Sequence, residues 1–286
     1  MSALTPNLYI GSHVSTRGGY SKAAQRAFDM GASAFQYFPK NPRGLRVKNF
    51  DMTEAMRCKA FCIKYGLQSI AHSPYPTNPA LGPIKGNSQY QGMVASLQND
   101  LHIAEACGSA GVVVHFGHVK MSDPLVGYRH IIQFLDDVLT GWEGKSKILI
   151  ENQAGDHGPM GTTIEEMVQI RNLSRNADSI GFCLDTCHAY ASGLWNGSED
   201  PELLEKGQSL GYFDALVAIH VNDSKYGYRS NKDRHERVGK GYIGEKGLAW
   251  LLQQKDVKGS IWVLETETGE DGTHQEDIEL IRTWLT

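Results

Sequence analysis

A (β/α)8 barrel is the fold this sequence predicts, and three observations carry it. Eight short apolar, β-branched-rich runs recur along the 286 residues, segments with helical periodicity lie between them, and no Pro/Gly/Ser-rich linker, charge shift or low-complexity tract divides the chain. Strict strand–helix alternation implies parallel strands with crossover helices, and eight such units in a chain of this length is the count of a closed barrel. A doubly wound open sheet is the alternative. One domain over residues 1–286 is the economical organisation.

In chain order the runs are NLYIGSHV near the start, AFQYF (34–38), LQSIAHS (67–73), GVVVHFG (111–117), KILIEN (147–152), IGFCLDTC (180–187), LVAIHVND (216–223) and IWVLETET (261–268). Each reads as a strand buried on both faces, because it is apolar throughout rather than alternating with polar residues. Between them SKAAQRAFDM, MTEAMRCKAFCIKYG, QYQGMVASLQNDLHIAEACG and TIEEMVQIRNL repeat apolar residues at helical spacing, and ELIRTWL closes the chain in the same way. Two long loops stand out, YFPKNPRGLRVKNF after the second strand and SKYGYRSNKDRHERVGKGYIG after the seventh. Loops of that length in a compact domain are usually functional.

Composition narrows the class. With 41% hydrophobic and 21% charged residues the chain is an ordinary globular protein. The N-terminal MSALTPNLYIGSHV lacks the basic and apolar regions of a signal peptide, and no apolar run approaches the roughly 20 residues of a membrane helix, so a cytoplasmic protein is expected. Five thinly spread cysteines argue against a disulfide framework and for a reducing compartment. Cys183 and Cys187 lack a second pair, which leaves a thiolate zinc site without support. A formal charge of −4 gives no bulk signal for nucleic acid.

In a parallel barrel the carboxyl ends of all strands converge on the face where active sites are built. That face collects His13, Gln36, His72, His115, Glu151, Asp185, His188, His220, Asp223 and Glu265. Imidazoles and carboxylates gathered without matching cations would force costly protonation shifts, whereas metal ions neutralise the acids and take the His lone pairs. The nitrogen and oxygen donors suit zinc, with manganese or iron compatible by ligand type. Asp233 and His235, one residue apart in the seventh loop, can reach a common ion from an extended backbone.

The segments HSPYPTN (72–78), CLDTCHAYASG (183–193) and HVNDSK…DRH…GKGYIG (220–244) resemble the three signature regions of the endonuclease IV family of apurinic/apyrimidinic endonucleases. GSHVSTRGGYSKA, PKNPR, HFG, ENQAG and ETET resemble its other blocks in order, so the likeness runs nearly end to end. The resemblance implies a barrel with three zinc ions. His72, His115 and Glu151 would hold one; Asp185, His220 and Glu265 a second, bridged by Glu151; His188, Asp233 and His235 the third. It further implies incision of double-stranded DNA on the 5′ side of an abasic site to leave a 3′-hydroxyl, and trimming of blocked 3′ ends. Glu151 and Glu265 would be the catalytic carboxylates around a metal-activated hydroxide. Arg43 and Tyr75 match the positions that fill the gap left by a flipped nucleotide. The family pattern does not use His13, Gln36 or Asp223 as ligands.

Three divalent ions change the charge of the chain from −4 to about +2, concentrated at the active face. Basic residues of the two long loops, Lys40, Arg43, Arg46 and Lys48 in one and Lys225, Arg229, Lys232, Arg234, Arg237 and Lys240 in the other, read as a phosphate-backbone footprint. The chain departs from the family pattern at Pro76 and Pro79, which restrict the loop expected to enter DNA, and at Phe116 and His118, the latter creating an H-x-x-H with His115. The rival readings are a metal-dependent sugar isomerase or epimerase and a catalytically silent DNA- or metal-binding barrel. A monomer is expected, since no coiled coil or apolar patch calls for a partner chain.

Overall fold

The structure, a computed structural model, describes residues 8–83, 88–119 and 123–285. Eight parallel strands close a barrel: β1 (Tyr9–His13), β2 (Ala34–Tyr37), β3 (Gln68–His72), β4 (Gly111–His115), β5 (Lys147–Glu151), β6 (Ile180–Asp185), β7 (Leu216–His220) and, last in the chain, β10 (Ile261–Leu264), which pairs with both β1 and β7. The closed ring excludes the open sheet. Each predicted run supplies one strand, ending one to four residues before the apolar pattern does.

Side chains alternate between the two faces of a strand, and this period of two builds the site. Ala34, Ile70, Val113, Leu149, Cys183, Ala218 and Val263 form one buried apolar cluster, with one or two members from each strand β2–β7 and β10. Two residues further along those strands stand Gln36, His72, His115, Glu151, Asp185, His220 and Glu265. The ligand-type residues therefore share the face of that apolar layer, one layer nearer the carboxyl ends. His13 holds the same relation to Gly11, where no side chain fits: a Cβ there would lie 1.6 Å from the carbonyl oxygen of Ala34. A second, larger apolar cluster packs the outer faces of the strands against the helices.

Helices α1 (Tyr20–Asp29), α2 (Met52–Tyr65), α3 (Gln89–Cys107), α4 (Pro124–Leu139) and α5 (Ile164–Leu173) occupy the first five crossovers, and several begin with recognisable caps. Asp51 opens α2, Asp123 opens α4, and Thr163 forms a capping box with Glu166 at α5. α6 (Thr186–Ser192) starts directly at the end of β6, capped by Asp185, so the run GFCLDTCHAY turns from strand to helix within one residue. The sequence pattern did not separate a short antiparallel pair, β8 (Asp223–Ser224) with β9 (His235–Glu236), because two residues are too few to show alternation. Among the described residues no helix is long and apolar enough to cross a membrane, and all five cysteines are buried and unbridged.

Candidate metal centre

The strand ends form a cavity of about 490 Å3, whose lining includes His13, His72, His115, Glu151, His188, Asp233, His235, Glu265 and His274. Glu151 lies at its heart. Its Oε2 is 3.4 Å from His115 Nε2 and 3.6 Å from His72 Nε2, while its Oε1 is 2.9 Å from His220 Nδ1. His220 Nδ1 is also 3.1 Å from Glu265 Oε2 and 3.8 Å from Asp185 Oδ2. On the other side, Asp233 Oδ1 is 3.2 Å from both His188 Nε2 and His235 Nε2.

Donor atoms close enough to share an ion fall into overlapping groups: His72, His115 and Glu151; Glu151, Asp185, His220 and Glu265; and His188, Asp233 and His235. The nine positions to which the resemblance gave ligand roles are thus brought together. A further group, Asp185, Cys187 and His235, adds a thiol. Burial pushes the Cys187 thiol up to about 12, and its Sγ donates to the Arg234 carbonyl oxygen at 3.6 Å.

The donor set fits metal ions on an observation of this structure. Glu151 Oε2, His188 Nε2 and His235 Nε2 are buried with no hydrogen bond of good geometry, only the ion-pair contacts of 3.2–3.6 Å, a strained arrangement for polar atoms that a shared cation would relieve. The opposite nitrogens of two rings are engaged: His72 Nδ1 is 2.8 Å from the Ser73 carbonyl and His188 Nδ1 is 3.0 Å from the Asn152 carbonyl, which leaves each Nε2 facing the cavity. Asp185 is held by Asn222, whose Nδ2 donates to Oδ2 at 2.7 Å, and by the amide of His188 on Oδ1. Asn222 Oδ1 in turn accepts from the Glu265 amide.

Electrostatics tell the same story for the protein alone. Burial by itself would raise the Glu151 carboxyl and lower the imidazoles; mutual attraction reverses both, holding Glu151 well below its usual range and His188 and His220 well above theirs. Burial also opposes the Glu265 carboxyl, which His220 and His72 nevertheless hold down at about 2. Divalent ions would take the place of those protons.

Other sequence expectations meet different fates. Asp223 is no ligand: its carboxylate accepts from the amides of Ser224, Gly241, Ile243 and Gly244 and so fixes the seventh loop. His118 belongs to none of the donor groups, and its ring stacks on His157 at 4.2 Å. Phe116 is fully buried against Tyr128. Pro79 starts a single 3-10 turn at Pro79–Leu81, and Pro76 lies in the turn before it.

On the rim, Arg43 and Tyr75 are exposed, and Tyr75 is 62% accessible with its ring edge-on to Phe38 and its amide on the Pro42 carbonyl. Lys225, Arg229 and Arg234 are exposed too; Lys225 pairs with Glu267 at 3.3 Å and Arg229 lies over the Tyr228 ring. Lys40 corrects the reading of a rim cation. It is buried and paired with Asp100 of α3, so it cannot meet a phosphate. Lys48, on the Tyr20 hydroxyl and the Pro39 carbonyl, and Arg237, on Glu276 and Asp277, are also tied to the protein. The reading of single residues missed Asn152 and Asn222, whose only signal is an Asn beside a ligand, and the exposed Tyr226, Tyr228 and Tyr242 interleaved with the loop cations.

Residues 24–284 match the family model described as a xylose isomerase-like TIM barrel. A probable endonuclease 4 of Symbiobacterium thermophilum is 36% identical over 281 residues, covering 96% of this chain and 99% of its own. Another, of Halothermothrix orenii, is 35% identical over 95% of this chain and 97% of its own. Among solved structures, endonuclease IV from Thermus thermophilus superposes with a TM-score of 0.84 at 29% identity, covering 97% of this chain and 98% of that one.

Proposed function

The chain belongs to the endonuclease IV family, and from that membership we propose that it is a DNA-repair phosphodiesterase that incises duplex DNA 5′ to an abasic site, leaves a 3′-hydroxyl and trims blocked 3′ ends. One observation supports this most: Glu151 presents its two carboxylate oxygens to different donor groups, Oε1 toward His220 and Oε2 toward His72 and His115, so that one side chain would help hold an ion in each. Three zinc ions are the proposed occupants, with manganese or iron compatible at one or more positions. When bound they supply an activated water and the positive charge that a phosphoryl group needs as it transfers.

The chain's own side chains set the geometry. Glu151 holds two donor groups in register. Glu265 faces the same cavity from β10's end and is oriented by its amide on Asn222. Arg43 and Tyr75, exposed on adjoining loops, fill the gap left in the stack when the abasic sugar turns into the cavity. Exposed Lys225, Arg229 and Arg234 meet backbone phosphates. A sugar isomerase has less use for the group His188, Asp233 and His235 or for cationic loops at the rim.

The test is incubation with a duplex carrying a single abasic site, before and after stripping metal with a chelator, with products resolved by their end groups. Metal-dependent cutting that leaves a 3′-hydroxyl is expected. Absence of cutting by a chain that holds its metals would overturn the proposal and favour a sugar substrate. Arg43→Ala should weaken binding to abasic duplex about tenfold with metal content unchanged, measured by anisotropy and elemental analysis; lost metal with intact binding would remove Arg43 from the wedge.

A further inference from the structure

Gln36, buried at the end of β2, touches three polar groups, His13 and Glu265 of the cavity wall and the buried His220. Its Nε2 is 2.5 Å from Glu265 Oε1 and 3.1 Å from His13 Nδ1, and its Oε1 is 2.8 Å from His220 Nε2. A carboxylate only accepts, so the atom beside Glu265 must be the amide nitrogen. With that orientation fixed, the amide oxygen accepts from His220 Nε2–H and the second amide hydrogen is donated to the Nδ1 lone pair of His13. One glutamine thereby determines two imidazoles.

We propose that Gln36 is a positioning residue that sets both tautomers, leaving His220 Nδ1 for an ion and making His13 an uncharged hydrogen-bond donor, through Nε2–H, to a sugar–phosphate oxygen of the substrate. The His13 half rests on the nuclease reading above. His13 lines the cavity, its ring packed 4.5 Å from that of Phe38, and with Nδ1 taken by Gln36 its remaining polar atom is Nε2. Burial lowers its pKa to about 4, so it stays neutral at physiological pH despite the pull of Glu265. A neutral donor suits this wall: it contributes a proton to an anionic oxygen without repelling bound cations. His220, engaged by Gln36 on one side, faces Glu151, Asp185 and Glu265 with the other, where an ion would sit.

The long-range 15N spectrum of the zinc-loaded chain separates protonated from unprotonated ring nitrogens. His13 and His220 should both carry their proton on Nε2, and inorganic phosphate should shift the His13 Nε2–H signal. Gln36→Met, which keeps length without hydrogen bonds, should mix the His13 tautomers and weaken retention of one zinc by roughly 10–100-fold. A proton on His13 Nδ1 in the wild type, or tautomers and zinc retention unchanged in Gln36→Met, overturns the proposal. In the incision assay His13→Leu should lose roughly 10–100-fold in kcat, His13→Gln should recover most of it, and the pH profile should keep its shape. Equal losses, or a vanished limb of the profile, overturn the donor role. A chain with these tautomers and the phosphate response that cuts no abasic DNA sinks the nuclease reading alone.

Discussion

Glu151→Gln should reduce incision by more than about a thousandfold, equivalent to more than about 4 kcal/mol of transition-state stabilisation, while the barrel stays folded. The substitution conserves volume at a position only 1% exposed on β5, so strand packing is spared. It removes the one negative charge that faces His72, His115 and His220 at once. It also places an amide nitrogen beside at least one of those imidazoles, where it donates to the lone pair an ion needs. Activity and metal content should therefore fall together, with the far-ultraviolet dichroism unchanged. Near-normal cleavage by a variant with its full metal complement would end the bridging role.

The barrel was legible because its signal is local and repeated. An apolar run such as KILIE ends in an acid, GVVVH in an imidazole, and the period of two carries both residues to one face whatever the helices outside are doing. Summed over the strand ends, the gathering of ligand-type donors into shared groups was legible from the same pattern. What escaped was decided by approach of segments distant in sequence. Nothing in HVND distinguishes Asp223, saturated by backbone amides, from a ligand; nothing near Asn222 announces that it spans Asp185 and Glu265; and the tautomer-setting contacts of Gln36 join β2 to residues 184 and 229 positions away. Lys40 was misjudged for the same reason, since a lysine in a cationic loop reads as exposed until α3 closes over it.

Lys40→Met tests that correction directly, and a loss of about 3–5 kcal/mol in unfolding free energy at pH 8 is expected. Lys40 Nζ donates to the Ser96 carbonyl at 2.6 Å and to Asp100 Oδ1, and the two charged side chains are 3% and 0% exposed. Asp100 Oδ2 has no hydrogen-bond partner at all. The removal of the cation leaves a carboxylate in an apolar setting. Burial already raises Asp100 to about 6 against the pull of Lys40, so in the variant it rises further. The folded variant then binds a proton that the unfolded chain, with a carboxyl near about 3.9, has released. Its stability must fall as pH rises, and the deficit relative to wild type should be small near pH 5 and open above pH 6. Lys40→Met combined with Asp100→Leu should recover most of the loss, because neither charge is then buried alone. A phosphate contact makes the opposite demand: Lys40→Met would keep full stability but lower by about one the slope of log K against log salt. Chemical denaturation across pH, paired with a salt titration of DNA binding, separates an internal strut holding the loop of Arg43 onto α3 from a lysine that meets DNA.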